Sequence, residues 1–141
     1  MDKKRILELI EEKKDDLFQL LSSLIKINSE NFRTYGNEEE IAKYIKNLCD
    51  DLNLETELYS PLEIENFENH PDYMAGRNLE NRYNVTARWQ GVDNIDDLML
   101  MAHSDTVEIG DPKNWKKDAL SGEIYGVNVI PYEDFEARYH T

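Results

Sequence analysis

Apolar residues recur at steps of three and four over the first part of the chain: Ile6, Leu9, Ile10, Leu17, Leu20, Leu21, Leu24 and Ile25. Steps of that size place side chains on one stripe of a helix. The pattern predicts a single long amphipathic helix from about residue 3 to residue 27. Asp2 precedes it and is placed to cap it, its carboxylate accepting from the free amides of the first turn. The polar run Asn28-Ser29-Glu30-Asn31 ends it. A second helix is predicted from Asn37, where Asn37 and Glu40 form a capping-box-like pair and Glu38 and Glu39 sit at the positive end of the helix dipole. Its buried stripe reads Ile41, Tyr44, Ile45, Leu48 and Leu52.

The period then falls to two. Leu54, Thr56 and Leu58 alternate with Glu55, Glu57 and Tyr59, a half-buried strand that Pro61 closes. Residues 62–82 are polar and irregular, with His70-Pro71 and Gly76 as breakers; a connection of that length inside a domain is functional or mobile more often than incidental. Residues 83–89 read as a further strand with Val85, Ala87 and Trp89 on one face, and residues 90–94 as the turn after it. Leu98-Met99-Leu100-Met101-Ala102 is apolar at every position, the pattern of a central strand covered on both faces. Helices first and a doubly buried strand later predict the α/β class, with N-terminal helices packed on a mixed sheet.

Composition narrows the functions. The chain has 141 residues, 16 basic against 30 acidic, for a net charge of −14. That balance argues against nucleic acid, whose phosphates require a basic stripe, and against an anionic membrane surface. Residues 98–102 form the longest apolar run, too short to span a bilayer. Met1-Asp2-Lys3-Lys4-Arg5 leads into Glu8, Glu11 and Glu12 rather than into an apolar core, so no export signal is expected. The lone Cys49 rules out an internal disulfide framework and suits a reducing compartment, the cytoplasm by default. It reads as a small apolar group on the second helix. Hydrophobic residues are 40% and charged residues 33%, so the core is expected to be lean.

The candidate chemistry is His103-Ser104-Asp105, at the carboxyl end of the predicted central strand. Open α/β sheets present ligands there. In extended backbone residues i and i+2 share a side, so Asp105 is placed to accept from one ring nitrogen of His103, the arrangement that orients a metal-binding imidazole. By itself His-x-Asp also occurs as a pair that caps backbone amides at a strand end.

The neighbourhood carries more. The apolar run into His103-Ser-Asp105-Thr-Val107, then Gly110-Asp111-Pro112 and Trp115, then Asp118-Ala-Leu-Ser-Gly122-Glu-Ile-Tyr125-Gly126, resembles the first metal-site motif of the zinc-dependent hydrolases that include acetylornithine deacetylase, succinyl-diaminopimelate desuccinylase, aminoacylase and carboxypeptidase G. Leu24-Ile25-Lys26-Ile27 and Gly36-Asn37-Glu38-Glu39-Glu40-Ile41-Ala42 match the same family, so the likeness runs from about Leu17 to Gly126. His70-Pro71-Asp72-Tyr73 and Gly76-Arg77 lean toward its acetylornithine deacetylase side. The resemblance implies His103 as a ligand of one of two zinc ions and Asp105 as the catalytic-site carboxylate that orients His103 and tunes the bound water. It implies a reaction in which two metals polarise an amide carbonyl, a later glutamate moves the proton, and an N-acyl amino acid or small peptide is cleaved.

After Gly126 the likeness stops. The family continues with Gly-Arg-Gly and an Asp before Lys-Gly; this chain reads Val127-Asn-Val-Ile-Pro131-Tyr-Glu-Asp134-Phe-Glu-Ala-Arg-Tyr-His140-Thr141. Asp134 lacks the flanking residues of the bridging aspartate and is not assigned, and Glu133, Glu136 and His140 stand at unmatched positions. The tail reads as a short helix opened by Pro131, with Tyr132, Phe135 and Tyr139 on one side. The expected organisation is therefore 1–126, the N-terminal part of a metallohydrolase catalytic domain, and 127–141, a non-matching tail left by a truncation, frameshift or split gene. A catalytic zinc takes three protein ligands and the matched segment offers one, so the chain alone is expected to hold zinc weakly and to be inactive. The alternatives are a non-catalytic interaction module that self-associates through an open sheet edge, and one half of a split enzyme.

Overall fold

The computed structural model describes residues 2–91 and 98–124. Asp2 opens α1 (Lys3–Glu12) as expected, from extended backbone with its carboxylate accepting the Arg5 amide at 2.8 Å. The single helix over 3–27 does not form. α1 ends at Glu12 and α2 (Lys14–Ile25) follows, with Lys13 between them at φ −97°, ψ 2°. Residues 11–16, Glu-Glu-Lys-Lys-Asp-Asp, contain no apolar side chain to hold that turn against a neighbour. Their charges pair locally instead, Lys14 with Glu11 at 3.0 Å and Lys13 with Asp16 at 2.8 Å. Of the predicted stripe, Leu9, Leu20 and Leu24 are half-buried, while Ile6, Ile10, Leu17, Leu21 and Ile25 are exposed.

The next helix, α3 (Glu39–Asp51), starts at Glu39 and not under an Asn37 cap. The Asn37 side-chain amide donates instead to Asn28 Oδ1 at 3.4 Å. Ile41 and Ala42 are buried, Tyr44, Ile45, Leu48 and Cys49 half-buried, and Leu52, beyond the helix end, exposed.

α3 packs on both strands of an antiparallel pair, β1 (Glu55–Tyr59) and β2 (Asn84–Arg88). Leu58 stands opposite Val85 and Thr56 opposite Ala87. Residues directly opposite share a face, so Thr56, Leu58 and Val85 form the half-buried side while Glu55, Glu57 and Thr86 point to water. The alternation predicted for β1 is observed. Ala87 and Trp89, expected on the covered face with Val85, are exposed, Trp89 at 83%. Residues 62–82 are irregular as expected, with short 3-10 turns at Pro61–Glu63 and Phe67–Asn69.

Helices and a small sheet in one chain agree with the α/β class at that level, but the mixed sheet is not found. The described sheet is β1 and β2 alone, antiparallel. Residues 98–102 form no strand and are exposed, from 77% at Leu98 to 90% at Met101. A strand covered on both faces requires hydrogen-bonded neighbours and a layer on each side, and the described residues supply neither. The turn predicted at 90–94 lies partly, and the tail helix from Pro131 wholly, outside the described residues. No helix of the described residues is long and apolar enough to cross a membrane.

One ion pair fixes the start of α3 to the approach to β2. Arg82 donates from Nε to Glu38 Oε2 at 3.0 Å and from Nη2 to Glu38 Oε1; Glu38 is buried and Arg82 largely so. Gly36 makes room for that carboxylate: a Cβ there would lie 2.6 Å from the Glu38 carboxyl carbon. Nη1 of Arg82 is buried without a partner. Removing one member of a buried pair strands the other charge, whereas replacing both with apolar groups does not. Arg82→Met is therefore expected to lower unfolding stability by about 3–5 kcal/mol, and adding Glu38→Leu to recover most of the loss. Chemical denaturation of the two variants checks this, and a neutral Arg82→Met would contradict it.

Candidate functional site

The polar run after α2 does more than end a helix. Ser29 is fully buried, and its carbonyl accepts the Thr106 amide at 3.0 Å. Asn31 returns its own amide to the Thr106 carbonyl at 2.8 Å. These bonds make a parallel bridge between Glu30 and Thr106. Glu30 extends it, with Oε1 accepting the Ile109 amide at 2.7 Å and Oε2 accepting from Asn28 Nδ2 at 2.9 Å. Further along, Ser22 Oγ on α2 donates to the Gly122 carbonyl at 2.6 Å. Gly122 has φ +58°, and a Cβ there would lie 2.5 Å from the Ser22 carbonyl oxygen; that approach requires glycine. Residues 105–109 and Gly122 are thus held on the end of α2 and the loop after it.

This places the two site residues read from the sequence together. His103 Nδ1 is 3.2 Å from Asp105 Oδ1 and 3.0 Å from the Asp105 carbonyl oxygen. Both oxygens only accept, the carboxylate being ionised, so Nδ1 carries the proton, and in the neutral ring Nε2 carries the lone pair. The His103 side chain is 85% exposed and that of Asp105 34%. Asp105 is held from the other side by Asn31, whose Nδ2 donates to Oδ2 at 2.7 Å. That bond holds the Asp105 carboxyl below the ordinary carboxylate range; partial burial opposes it, and the facing His103 adds to it.

Asp105, Thr106 and Val107 line an open cavity of about 230 Å³ together with Asn31, Phe32, Arg33 and Arg77. Among the described residues no group of three or more His, Cys, Asp or Glu side chains is arranged to hold a metal ion. One oriented imidazole falls short of the three protein ligands of a catalytic zinc, so the described donors do not by themselves fit that ion. His70 is exposed, its Nδ1 accepting the Asp72 amide at 3.2 Å. Trp115 is half-exposed and ties its loop to itself by donating Nε1 to the Ile109 carbonyl at 2.9 Å. Asp134, Glu133, Glu136 and His140 lie outside the described residues.

Compared with protein-family models, curated proteins and solved structures, the chain gives no match.

Asn31 is the residue the sequence reading missed. Its signal was there, an Asn within a polar run of four, but such a run after a helix reads as a stop and its partner is 74 residues away. The Asp105 carboxyl is depressed in the folded chain, so its contribution to stability is complete above the unfolded value near about 3.9 and is lost as pH falls from there through the lowered folded value. Asn31→Ala is expected to raise the Asp105 pKa toward that ordinary value. Carboxyl-carbon NMR titration reads it; an unchanged midpoint would contradict the assigned cause.

Proposed function

We propose that this chain is the N-terminal part, residues 1–126, of the catalytic domain of a zinc-dependent hydrolase of the acetylornithine deacetylase, desuccinylase, aminoacylase and carboxypeptidase G family. The complete enzyme would cleave amide bonds of N-acyl amino acids or small peptides, and the chain alone would be inert. The observation that carries this reading is the placement of His103 Nδ1 against two oxygens of Asp105. The Asp105 carboxylate and carbonyl oxygens accept from Nδ1–H, which leaves the Nε2 lone pair of the neutral, exposed ring free, the state in which imidazole ligates a metal. His103 is then a metal ligand and Asp105 the carboxylate that orients it. The remaining ligands, the general base and the smaller domain of the family site have no counterpart in 127–141, so no hydrolytic step is assigned to this chain. The reading belongs to a cytoplasmic protein, where the single Cys49, a free thiol, stays reduced.

The exposure of residues 98–101 favours a second reading of the same segment. An exposed apolar run that pairs with no strand among the described residues is a template for pairing, with the rest of a longer chain, with a second polypeptide of a split enzyme, or with another copy.

Titration calorimetry of the full 141-residue chain with zinc tests the proposal. The expected result is weak binding that His103→Ala abolishes and Asp105→Asn weakens about tenfold or more, with no hydrolysis of N-acetyl amino acids. Equal binding by His103→Ala would remove the ligand role. Tight stoichiometric binding with turnover would contradict inertness.

A further inference from the structure

Leu98-Met99-Leu100-Met101-Ala102 is exposed at every position, Leu100 at 85% and Met101 at 90%. Among the described residues none of the five has a backbone hydrogen-bond partner. The residues that follow are fixed in place. The Thr106 amide donates to the Ser29 carbonyl, the Thr106 carbonyl accepts from Asn31, and the Ile109 amide donates to Glu30. Free amides and carbonyls on an apolar run, joined to an anchored segment, supply both parts of strand addition: a ladder for a second backbone, and side chains for its pockets. Soluble proteins rarely leave a contiguous apolar stretch open unless something binds it.

Charge decides what occupies it. Residues 103–111, directly after the run, contain Asp105, Glu108 and Asp111 and neither lysine nor arginine. Glu108 is exposed. The whole chain carries −14, so its field repels a second copy and draws in a cationic polypeptide. A second copy paired parallel and in register would also set Asp105 against Asp105, and like charges directly opposite destabilise a strand pair.

We propose that residues 98–102 are a docking strand for a separate polypeptide whose own strand is apolar and flanked by lysine or arginine. This does not depend on the zinc reading, because none of the five residues is a proposed metal ligand. The test titrates the full chain with a peptide of alternating valine and threonine closed at both ends by lysines. The controls are the same peptide closed by glutamates and the lysine peptide with N-methylated amides, and amide hydrogen exchange follows residues 98–102. The lysine peptide should slow exchange there and bind about tenfold or more tighter than either control, with an affinity that falls as salt rises. Leu100→Ser, at an exposed position, should leave Tm unchanged and weaken binding about tenfold or more. Failure of the lysine peptide to slow exchange at 98–102 would overturn the proposal. Equal binding of the glutamate peptide would remove the basic partner, and equal binding of the N-methylated peptide or by Leu100→Ser would remove strand addition at this run. Slow exchange at 98–102 before peptide is added, or a lowered Tm in Leu100→Ser, would contradict an open run; sedimentation would then assign the cover to a second copy in a dimer and to the chain itself in a monomer.

Discussion

The arrangement of the candidate site depends on the bridge between residues 29–31 and residues 105–109. Without it, no described strand would hold His103 and Asp105, since residues 98–102 form no strand and lie open to solvent. The bridge uses backbone groups of Ser29, Asn31 and Thr106 and the side chains of Glu30 and Asn31. It joins parts of the chain more than seventy residues apart, so loop-closure entropy opposes it. Burial of Ser29 and the bond from Ser22 to Gly122 support it from the α2 side. Its chemical consequence is specific: Asn31 fixes the Asp105 carboxylate, Asp105 fixes the His103 tautomer, and the imidazole presents a lone pair outward.

What the sequence disclosed follows from how local each feature is. The Asp2 cap, the stripe of α3 around Ile41 and the alternation of β1 are set by neighbours within a few positions, and each is found. The break at Lys13 was hidden because the apolar steps on either side keep helical phase across a charged stretch that nothing holds. Residues 98–102 misled in the opposite direction. Their composition is that of a buried strand, but a strand exists only where other strands pair with it, and those partners are not among the described residues. His103 and Asp105 were legible because i and i+2 share a side in extended backbone. Asn31 was not, because its role arises only when two loops meet.

Among the described residues the site combines an oriented imidazole with a donor set short of a catalytic metal centre.

Amide hydrogen exchange at single-residue resolution tests the central claim most directly. The amides of Asn31, Thr106 and Ile109, which donate across the bridge, should be protected well above those of residues 99–102, which lie in the exposed run. Equally fast exchange at all of these positions would mean that the bridge does not form in solution, and that His103 and Asp105 are not held as a site.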